Sequence, residues 1–145
     1  LPAKIVRELK KADMCLHAGD YVDTKVIREI ERHTVFHGVH GNMDDETLRK
    51  KLPGKLIVEV EAHRIGLTHG SGAPAGIRER VAATFEKDDV DIIIFGHSHQ
   101  AYMERHDGRL FFNPGSATDI FYTQVNTYGV IEIDGETVDP AILRI

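Results

Sequence analysis

The sequence is poor in the features that mark secreted, membrane-spanning or nucleic-acid-binding proteins. Its one cysteine, Cys15, excludes an intrachain disulfide framework and fits a reducing, cytoplasmic setting. Its longest apolar run is residues 92–95, far below the ~20 residues that a membrane span needs. Lys and Arg number 18 against 23 Asp and Glu, a formal net charge of −5. That acidic balance argues against general affinity for nucleic acid or an anionic membrane surface.

The chain also lacks repeats, low-complexity tracts and Pro/Gly/Ser-rich linkers, so we expect one domain over residues 1–145. Hydrophobic residues make up 41% and charged residues 28%, which is the balance of a globular protein. Two features stand out from this ordinary composition. The chain has 9 histidines, which is many for its length, and it begins at Leu1 instead of Met.

Hydrophobic patterning alternates between strand and helix in the first half of the chain and indicates mostly strands in the second half. Asp-Gly pairs at 107–108 and 134–135 each predict a hairpin turn. The pattern predicts an α/β fold with a mixed sheet or two packed sheets. Strands are predicted at 14–17, 34–39, 56–62, 64–68, 91–95, 101–106, 109–113, 128–133 and 137–143, and helices at 4–11, 24–32, 46–51 and 75–86.

Possible metal ligands directly follow four of the predicted strands. Asp20 follows the first, Asn42 the second and His69 the fourth, whereas His97 and His99 follow the fifth. Ligands bind at the carboxyl ends of strands in open α/β sheets, and neighbouring strands lie ~4.8 Å apart, so we expect these side chains to converge. Each short motif alone is most often a turn or a surface residue. The case for a site rests on their joint occurrence at strand ends.

Five blocks around these residues recur in the same order in one known family. Residues 17–23 contain a G-D-x-x-D block, residues 41–44 a G-N-x-D block, and residues 113–116 an N-P-G-S turn. Residues 68–70 and 96–99 are two histidine blocks. The sequence resembles the calcineurin-like metallophosphoesterases, and within them the small single-domain prokaryotic phosphodiesterases. The resemblance covers nearly the whole chain.

The resemblance implies a four-layer αββα sandwich of two mixed β-sheets flanked by helices, with a catalytic site for two divalent metal ions. Asp20 would bridge both ions, Asn42, His69 and His97 would complete the ligands of one ion, and His99 would bind the other. A hydroxide bridging the ions would attack phosphorus in line with the leaving group of a small phosphodiester. Because the set mixes imidazole with oxygen and has no thiolate, Mn²⁺ is expected first, with Zn²⁺, Fe²⁺ or Ni²⁺ as alternatives.

The sequence departs from that family at two places. The family begins with a strand ending in D-x-H that supplies ligands to the ion of His99, and this sequence has no such block. Residues 1–4 resemble the stretch that normally follows it, so we expect an upstream strand outside this sequence and an incomplete second site within it. Met43 stands where many relatives have a His that protonates the leaving group. His40 is the candidate replacement, with a structural or surface role as its alternative.

Three segments near the blocks have simpler interpretations beside the functional one. Asp23 either orients a ligand or caps the following helix. Residues 113–116 either offer backbone N–H groups to a phosphate or form a plain turn between strands. His17, which precedes Asp20 on its strand, is expected to pack instead of binding metal.

The remaining polar and aromatic candidates are expected to be structural. His63 and His106 lie in turn contexts and are expected to be solvated, as is the acidic run at 86–91. Residues 111–112 and 120–122 form a stretch rich in apolar and aromatic side chains, for which burial in the core is the first expectation. A contact between copies of the chain is the alternative.

Two other functions remain open beside the enzyme. The same fold serves as a non-catalytic scaffold in the retromer-subunit branch of this superfamily, which is similar at residues 1–4 and 113–118. A phosphate-ligand sensor with one metal ion is the third candidate. The expected partner is a small phosphodiester substrate, with no stable nucleic-acid complex and no membrane, and a homodimer is left open.

Overall fold

The computed structural model describes all residues from 1 to 145 and contains four helices and nine strands. The helices are α1 (Ala3–Leu9), α2 (Lys25–Glu31), α3 (Glu46–Lys51) and α4 (Ile77–Thr84). The strands are β1 (Met14–His17), β2 (Val35–Gly38), β3 (Lys55–Val60), β4 (His63–Thr68), β5 (Ile92–Ile94), β6 (Tyr102–His106), β7 (Arg109–Asn113), β8 (Thr127–Asp134) and β9 (Thr137–Arg144). None of the helices is long and apolar enough to cross a membrane.

The strands form one central sheet and two smaller ones. The central sheet has five strands in the order β3-β4-β5-β7-β6, with parallel pairing of β4 to β5 and of β5 to β7. Antiparallel hairpins, β3–β4 and β6–β7, complete its two edges. The strands β1 and β2 pair in parallel, and β8 and β9 pair antiparallel around the predicted Asp-Gly turn at 134–135.

The main hydrophobic core lies between the central sheet and the two smaller sheets. Leu16 of β1, Ile131 of β8 and Ile142 of β9 pack against the buried face of the central sheet. This packing makes the smaller sheets a second β-layer. Seven buried residues form this core: Val39, Ile65, Leu67, Ile92, Ile94, Leu110 and Phe112.

A second core lies on the opposite face of the central sheet, under α4. Side chains alternate along a strand, so Ile93 of β5 and Phe111 of β7 point into this core while their neighbours point into the first. Phe85, just after α4, packs over Gly66 of β4, where a Cβ would lie 2.7 Å from its ring. The helix starts at Ile77, later than predicted, because Gly76 before it has φ +77°.

The fourth layer consists of α2 and α3, which pack on the outer face of β1 and β2. Ile27 of α2 and Leu48 of α3 are buried there with Tyr21. Asp45 caps α3 by accepting a hydrogen bond from the Leu48 N–H at 2.9 Å. The layer order α–β–β–α therefore confirms the predicted sandwich, with the difference that its second β-layer consists of two separate two-stranded sheets.

Candidate metal centre

The five predicted ligands converge at the carboxyl ends of β1, β2, β4 and β5. The Nε2 atom of His69 lies 2.9 Å from Asn42 Oδ1 and 3.3 Å from Asp20 Oδ2. The Nδ1 atom of His97 lies 3.1 Å from the same Asn42 oxygen. On the other side of the carboxylate, His99 Nε2 lies 4.0 Å from Asp20 Oδ2. The structure thus brings together residues that are up to 79 positions apart (99 − 20) in the sequence.

In each of the three histidines, the ring nitrogen that points away from the ligand cluster is hydrogen-bonded to an oxygen outside it. His69 Nδ1 lies 2.5 Å from the Ala18 carbonyl oxygen, and His97 Nε2 lies 2.9 Å from the Gly72 carbonyl oxygen. His99 Nδ1 lies 2.6 Å from Asp119 Oδ2. Because carbonyl and carboxylate oxygens only accept hydrogen bonds, these nitrogens donate, and a neutral ring then has its lone pair on the inward nitrogen.

The inward atoms fit a divalent cation. In the neutral rings, His69 Nε2 and His97 Nδ1 both direct lone pairs toward Asn42 Oδ1, which is an acceptor itself, and a cation satisfies all three. Neighbouring ligands of an octahedral ion with bonds of about 2.1 Å lie about 3.0 Å apart, which is the spacing seen here. No three His, Cys, Asp or Glu side chains are placed to hold an ion by themselves, so an ion at this position would need the Asn42 amide oxygen as a further ligand.

The electrostatics of Asp20 and His69 match a site for positive charge. Burial opposes the charged form of Asp20, but hydrogen bonds with His69 and the Met43 N–H outweigh it and lower the pKa of the carboxyl. Burial likewise opposes the charged form of His69, but hydrogen bonds with Asp20 and the Ala18 carbonyl raise its pKa overall. The carboxylate therefore stays ionised, and a metal ion at this site would compete with a proton for His69 Nε2.

Asp44 joins the loops that present Asp20 and Asn42. Its buried carboxylate accepts hydrogen bonds from the N–H groups of Asp20 at 2.9 Å, Tyr21 at 2.7 Å and Gly41 at 2.7 Å. In the sequence this residue is the last of the G-N-x-D block at 41–44, and the neighbouring Asp45 is the cap of α3. Position 41 must be glycine because a Cβ there would overlap the Asp20 carboxylate.

The backbone of the site loops adopts the left-handed region at four non-glycine residues: Asp20 (φ +60°), Val22 (+65°), His97 (+65°) and His99 (+56°). The two other non-glycine residues with positive φ lie in hairpin turns. Such conformations cost of order 1–3 kcal/mol each and persist where the surrounding structure enforces them, typically at functional sites. Patterning in the sequence carries no signal for them.

Arg80 of α4 fixes the loop that orients His97. Its guanidinium donates hydrogen bonds to the carbonyl oxygens of Ser71 at 2.7 Å, Ala75 at 3.1 Å and Ala73. This loop carries the Gly72 carbonyl that accepts the hydrogen bond of His97 Nε2. The role of Arg80 is not predictable from the sequence, because nothing in the spacing of an arginine on a helix reveals which carbonyls it reaches.

Asp119 and Asn113 support the second histidine block in a similar way. Asp119, which no sequence motif marks, orients His99 through a 2.6 Å hydrogen bond. The buried Asn113 donates to the Gly96 carbonyl at 2.8 Å and to Ser98 Oγ at 3.1 Å, and accepts from the Gly115 N–H at 2.9 Å. Of the two interpretations of residues 113–116, these contacts favour a structural turn, since the Gly115 N–H is already used.

The tentative residues have mixed outcomes. His40 lines a cleft of about 300 Å³ together with Asn42 and His69, and no hydrophobic residue lines it. Met43 is largely exposed and contributes its backbone N–H to Asp20. Asp23 accepts a hydrogen bond from the Lys25 N–H at 2.8 Å, which is the helix-cap interpretation.

Several structural expectations need correction. The solvated role predicted for His63 is wrong, because its ring is mostly buried and its Nδ1 lies 2.6 Å from Asp91 Oδ2. The acidic run at 86–91 is therefore not simply a solvated helix end.

The stretch predicted to be core divides in two, with Phe111 and Phe112 buried and residues 120–122 exposed. His17 packs as expected, with its ring stacked on Tyr21 at 4.0 Å between centroids.

Comparison with known proteins identifies the family. Residues 1–136 match the calcineurin-like phosphoesterase superfamily domain. A probable metallophosphoesterase of Methanothermobacter thermautotrophicus is 31% identical over 144 residues, which is 99% of this chain and 83% of that protein. The chain therefore belongs to the calcineurin-like phosphoesterase superfamily, and its membership implies divalent metal ions.

Two solved structures share the fold. The zinc complex of wild-type Vps29 from Entamoeba histolytica has a TM-score of 0.79 at 23% identity, covering 99% of this chain and 89% of that one. A structure described as a novel archaeal phosphodiesterase has a TM-score of 0.75 at 22% identity, covering 97% and 88%. At these identities the likeness establishes the metallophosphoesterase sandwich and nothing about substrate.

Proposed function

We propose that this protein is a metal-dependent phosphodiesterase with two divalent ions, for which Mn²⁺ is the first candidate. Asn42, His69 and His97 would hold one ion, His99 would supply part of the incomplete site for the other, and Asp20 would bridge them. When bound, the ions supply a nucleophile at neutral pH and neutralise charge on the phosphate. The observation that carries the proposal is the convergence of ring lone pairs and side-chain oxygens within 2.9–3.3 Å, with each ring fixed from outside.

The charge of the cleft supports a diester over a monoester. Arg49 is the one Lys or Arg among the residues that line it. Its guanidinium already donates hydrogen bonds to the backbone oxygens of Asn42 at 2.6 Å and Asp44 at 2.9 Å. The cleft offers no free side-chain cation for the second negative charge of a monoester dianion, which only the metal ions would meet, whereas a diester carries a single charge.

The group that would protonate the leaving group is the least defined part of this site. The Met43 thioether has no proton to donate, and His40 is the histidine that lines the same cleft without facing Asn42 or Asp20. We assign His40 as the candidate general acid. A general acid is typically worth 10²–10⁴-fold, so an ineffective one predicts a strong preference for good leaving groups.

A non-catalytic scaffold, the role of the retromer-subunit branch that residues 1–4 and 113–118 resemble, is the second candidate function, and the fold shared with Vps29 is compatible with it. Because that Vps29 structure contains zinc, bound metal alone does not separate a scaffold from an enzyme. A phosphate sensor would likewise bind metal and product. Turnover is the property that distinguishes the enzyme from both.

The test measures metal content and turnover together. Purified protein is assayed with Mn²⁺ against bis(4-nitrophenyl) phosphate and 4-nitrophenyl phosphate, beside His97→Ala and the control His106→Ala, which changes an exposed histidine outside the cluster. We expect diester cleavage that exceeds monoester cleavage, is lost in His97→Ala and is retained in His106→Ala. Bound metal without cleavage of either ester would reject the enzyme in favour of the scaffold or sensor.

A further inference from the structure

Three loops around the metal centre carry exposed apolar side chains. Val22 and Met43, on the loops after β1 and β2, are 89% and 72% exposed. Ile120, Phe121 and Tyr122, on the loop after β7, are 78%, 84% and 77% exposed. We call these five residues the apolar rim. Several exposed apolar side chains grouped around one site mark binding surfaces more often than single ones do.

The aromatic part of the rim is fixed to the metal centre through His99. The Asp119 carboxylate that orients His99 also accepts hydrogen bonds from the N–H groups of Phe121 at 2.7 Å and Tyr122 at 3.1 Å. The Tyr122 ring meets the His99 ring edge-on at 5.7 Å between centroids. One carboxylate therefore positions both a metal ligand and two exposed aromatic residues.

The aliphatic part of the rim is tied to Asp20. The Met43 N–H donates to Asp20 Oδ1 at 2.8 Å, and Val22 lies two residues after Asp20 with φ +65°. Both are held by the loops that present the ligands, so their exposure is a feature of the ordered site. The cleft lined by Asn42, the chain neighbour of Met43, and by His69 has no hydrophobic residue in its lining, so apolar groups of a substrate would lie outside it.

We propose that the apolar rim binds a planar aromatic ester group of the substrate, a nucleobase or an aryl group, while the phosphate occupies the metal centre. The inference rests on the proposed function, because it assumes a phosphate at the ligand cluster. A phosphodiester has a small anionic centre between two ester groups, and those groups must lie outside the polar cleft. Phe121 and Tyr122 offer exposed rings there, and stacking on an aromatic ring tolerates any base.

The test uses two phosphate monoesters, the product class of diester cleavage, one carrying a nucleoside with an aromatic base and the other only a methyl group. Binding of adenosine 5′-monophosphate and of methyl phosphate to the Mn²⁺-loaded protein is measured by calorimetry. The variants are Phe121→Leu/Tyr122→Leu, the ring-preserving Tyr122→Phe, and the control Val35→Ala, which changes an exposed residue at the start of β2. Binding requires no turnover, so the result does not depend on catalysis.

We expect the wild type to prefer the nucleotide over methyl phosphate, and the double leucine variant to lose at least about fivefold of that preference. Tyr122→Phe and Val35→Ala should retain it. A wild type without the preference, or a double variant that keeps it, would overturn the inference even if the diester is hydrolysed. If the double leucine variant loses the preference for the nucleotide and the wild type cleaves no ester, the apolar rim binds the aromatic group but the proposed enzyme is rejected. If the double variant keeps the preference but changes from dimer to monomer, the rim is a contact between two copies.

Discussion

Two histidine–aspartate pairs with the same geometry lie at opposite ends of the central sheet. His99 Nδ1 and Asp119 Oδ2 are 2.6 Å apart at the carboxyl end, and His63 Nδ1 and Asp91 Oδ2 are 2.6 Å apart at the other. The difference lies in the far nitrogen of each ring. His99 Nε2 faces Asp20, whereas His63 Nε2 is buried and has no hydrogen-bond partner.

The comparison shows that an oriented histidine is not by itself a site. The His63 pair ties the start of β4 to β5, since Asp91 Oδ1 also accepts the Arg64 N–H at 2.7 Å. Burial opposes ionisation of Asp91, but the hydrogen bonds with His63 and Arg64 outweigh it and lower the pKa of the carboxyl. That pair stabilises the sheet, whereas the His99 pair directs the Nε2 lone pair of His99 toward the Asp20 carboxylate.

The largest difference in activity is expected between the variants that remove the imidazole rings of His99 and His63. His99→Ala should lower the rate of diester cleavage with Mn²⁺ by more than about 1,000-fold, because a catalytic metal ion supplies several kcal/mol of transition-state stabilisation. His63→Ala should leave the rate within about twofold of wild type and lower the unfolding temperature instead. Equal rates in the two variants would remove the distinction between the pairs.

A third histidine, His17, differs from both pairs because no carboxylate is hydrogen-bonded to its ring. Its effect on the free energy of unfolding can be measured as a function of pH. Burial lowers the pKa of His17 to about 4, and its Nδ1 accepts a hydrogen bond from the Gly19 N–H at 3.2 Å. The unfolded chain takes up this proton first, near pH 6.5, so the stabilising contribution is complete above pH 6.5 and is lost as the pH falls toward 4. The loss amounts to about 3 kcal/mol.

Urea unfolding of the metal-free protein between pH 7.5 and pH 4 measures this loss. His17→Asn has no titrating ring, and the fall in its unfolding free energy over this interval should be smaller than that of wild type by about the same amount. Identical pH profiles for the two proteins would show that His17 is not held neutral by burial.

The two carboxylates should differ less than the two rings. Asp119→Asn should weaken Mn²⁺ binding by about 10–100-fold, as expected when the group that orients a metal-ligating histidine is changed. Asp91→Asn should leave Mn²⁺ affinity unchanged and cost less than about 1 kcal/mol of stability, because the Asp91 carboxylate is partly exposed. Calorimetric titration with Mn²⁺ compares the two variants, and equal affinity would contradict the role given to Asp119.

The smallest effect concerns a residue that acts through a loop. Arg80→Met should reduce Mn²⁺ affinity by about tenfold, at the lower end of such indirect effects, because the Gly72 carbonyl would no longer be held against His97. Arg78→Met is the matched control on the same helix, since Arg78 pairs with Glu79 and Glu104 and contacts none of these carbonyls. Reduced affinity in both variants would point to general damage to α4.

The comparison also shows which parts of the site were predictable. Asp20, Asn42 and His69 follow strands whose apolar patterning is local, so their meeting at one edge of the sheets follows from topology. His63 and His99 look alike in sequence, because each lies next to a strand. Their different environments depend on Asp91 and Asp119, which are 28 and 20 residues away.

What could not be predicted depends on contacts between distant loops. An aspartate just before a helix is typical of an N-cap, so the sequence does not reveal that Asp44 accepts hydrogen bonds from three N–H groups. Those hydrogen bonds depend on the loops of Asp20 and Gly41 lying side by side in the fold. The positive φ values at His97 and His99 are likewise imposed by the fold, since local propensity disfavours them. Exposure of residues 120–122 was missed because apolar composition predicts burial and carries no information about where a loop lies.

The central claim is that the Asn42 oxygen and the inward nitrogens of His69 and His97 hold a divalent ion. The most direct test is a Mn²⁺ titration of wild type and Asn42→Leu, which keeps the side-chain shape and removes the oxygen. We predict that the wild type binds Mn²⁺, and that Asn42→Leu folds but loses most of that affinity together with diester cleavage. Unchanged Mn²⁺ binding by Asn42→Leu would contradict the account, because the three atoms would then not form the site.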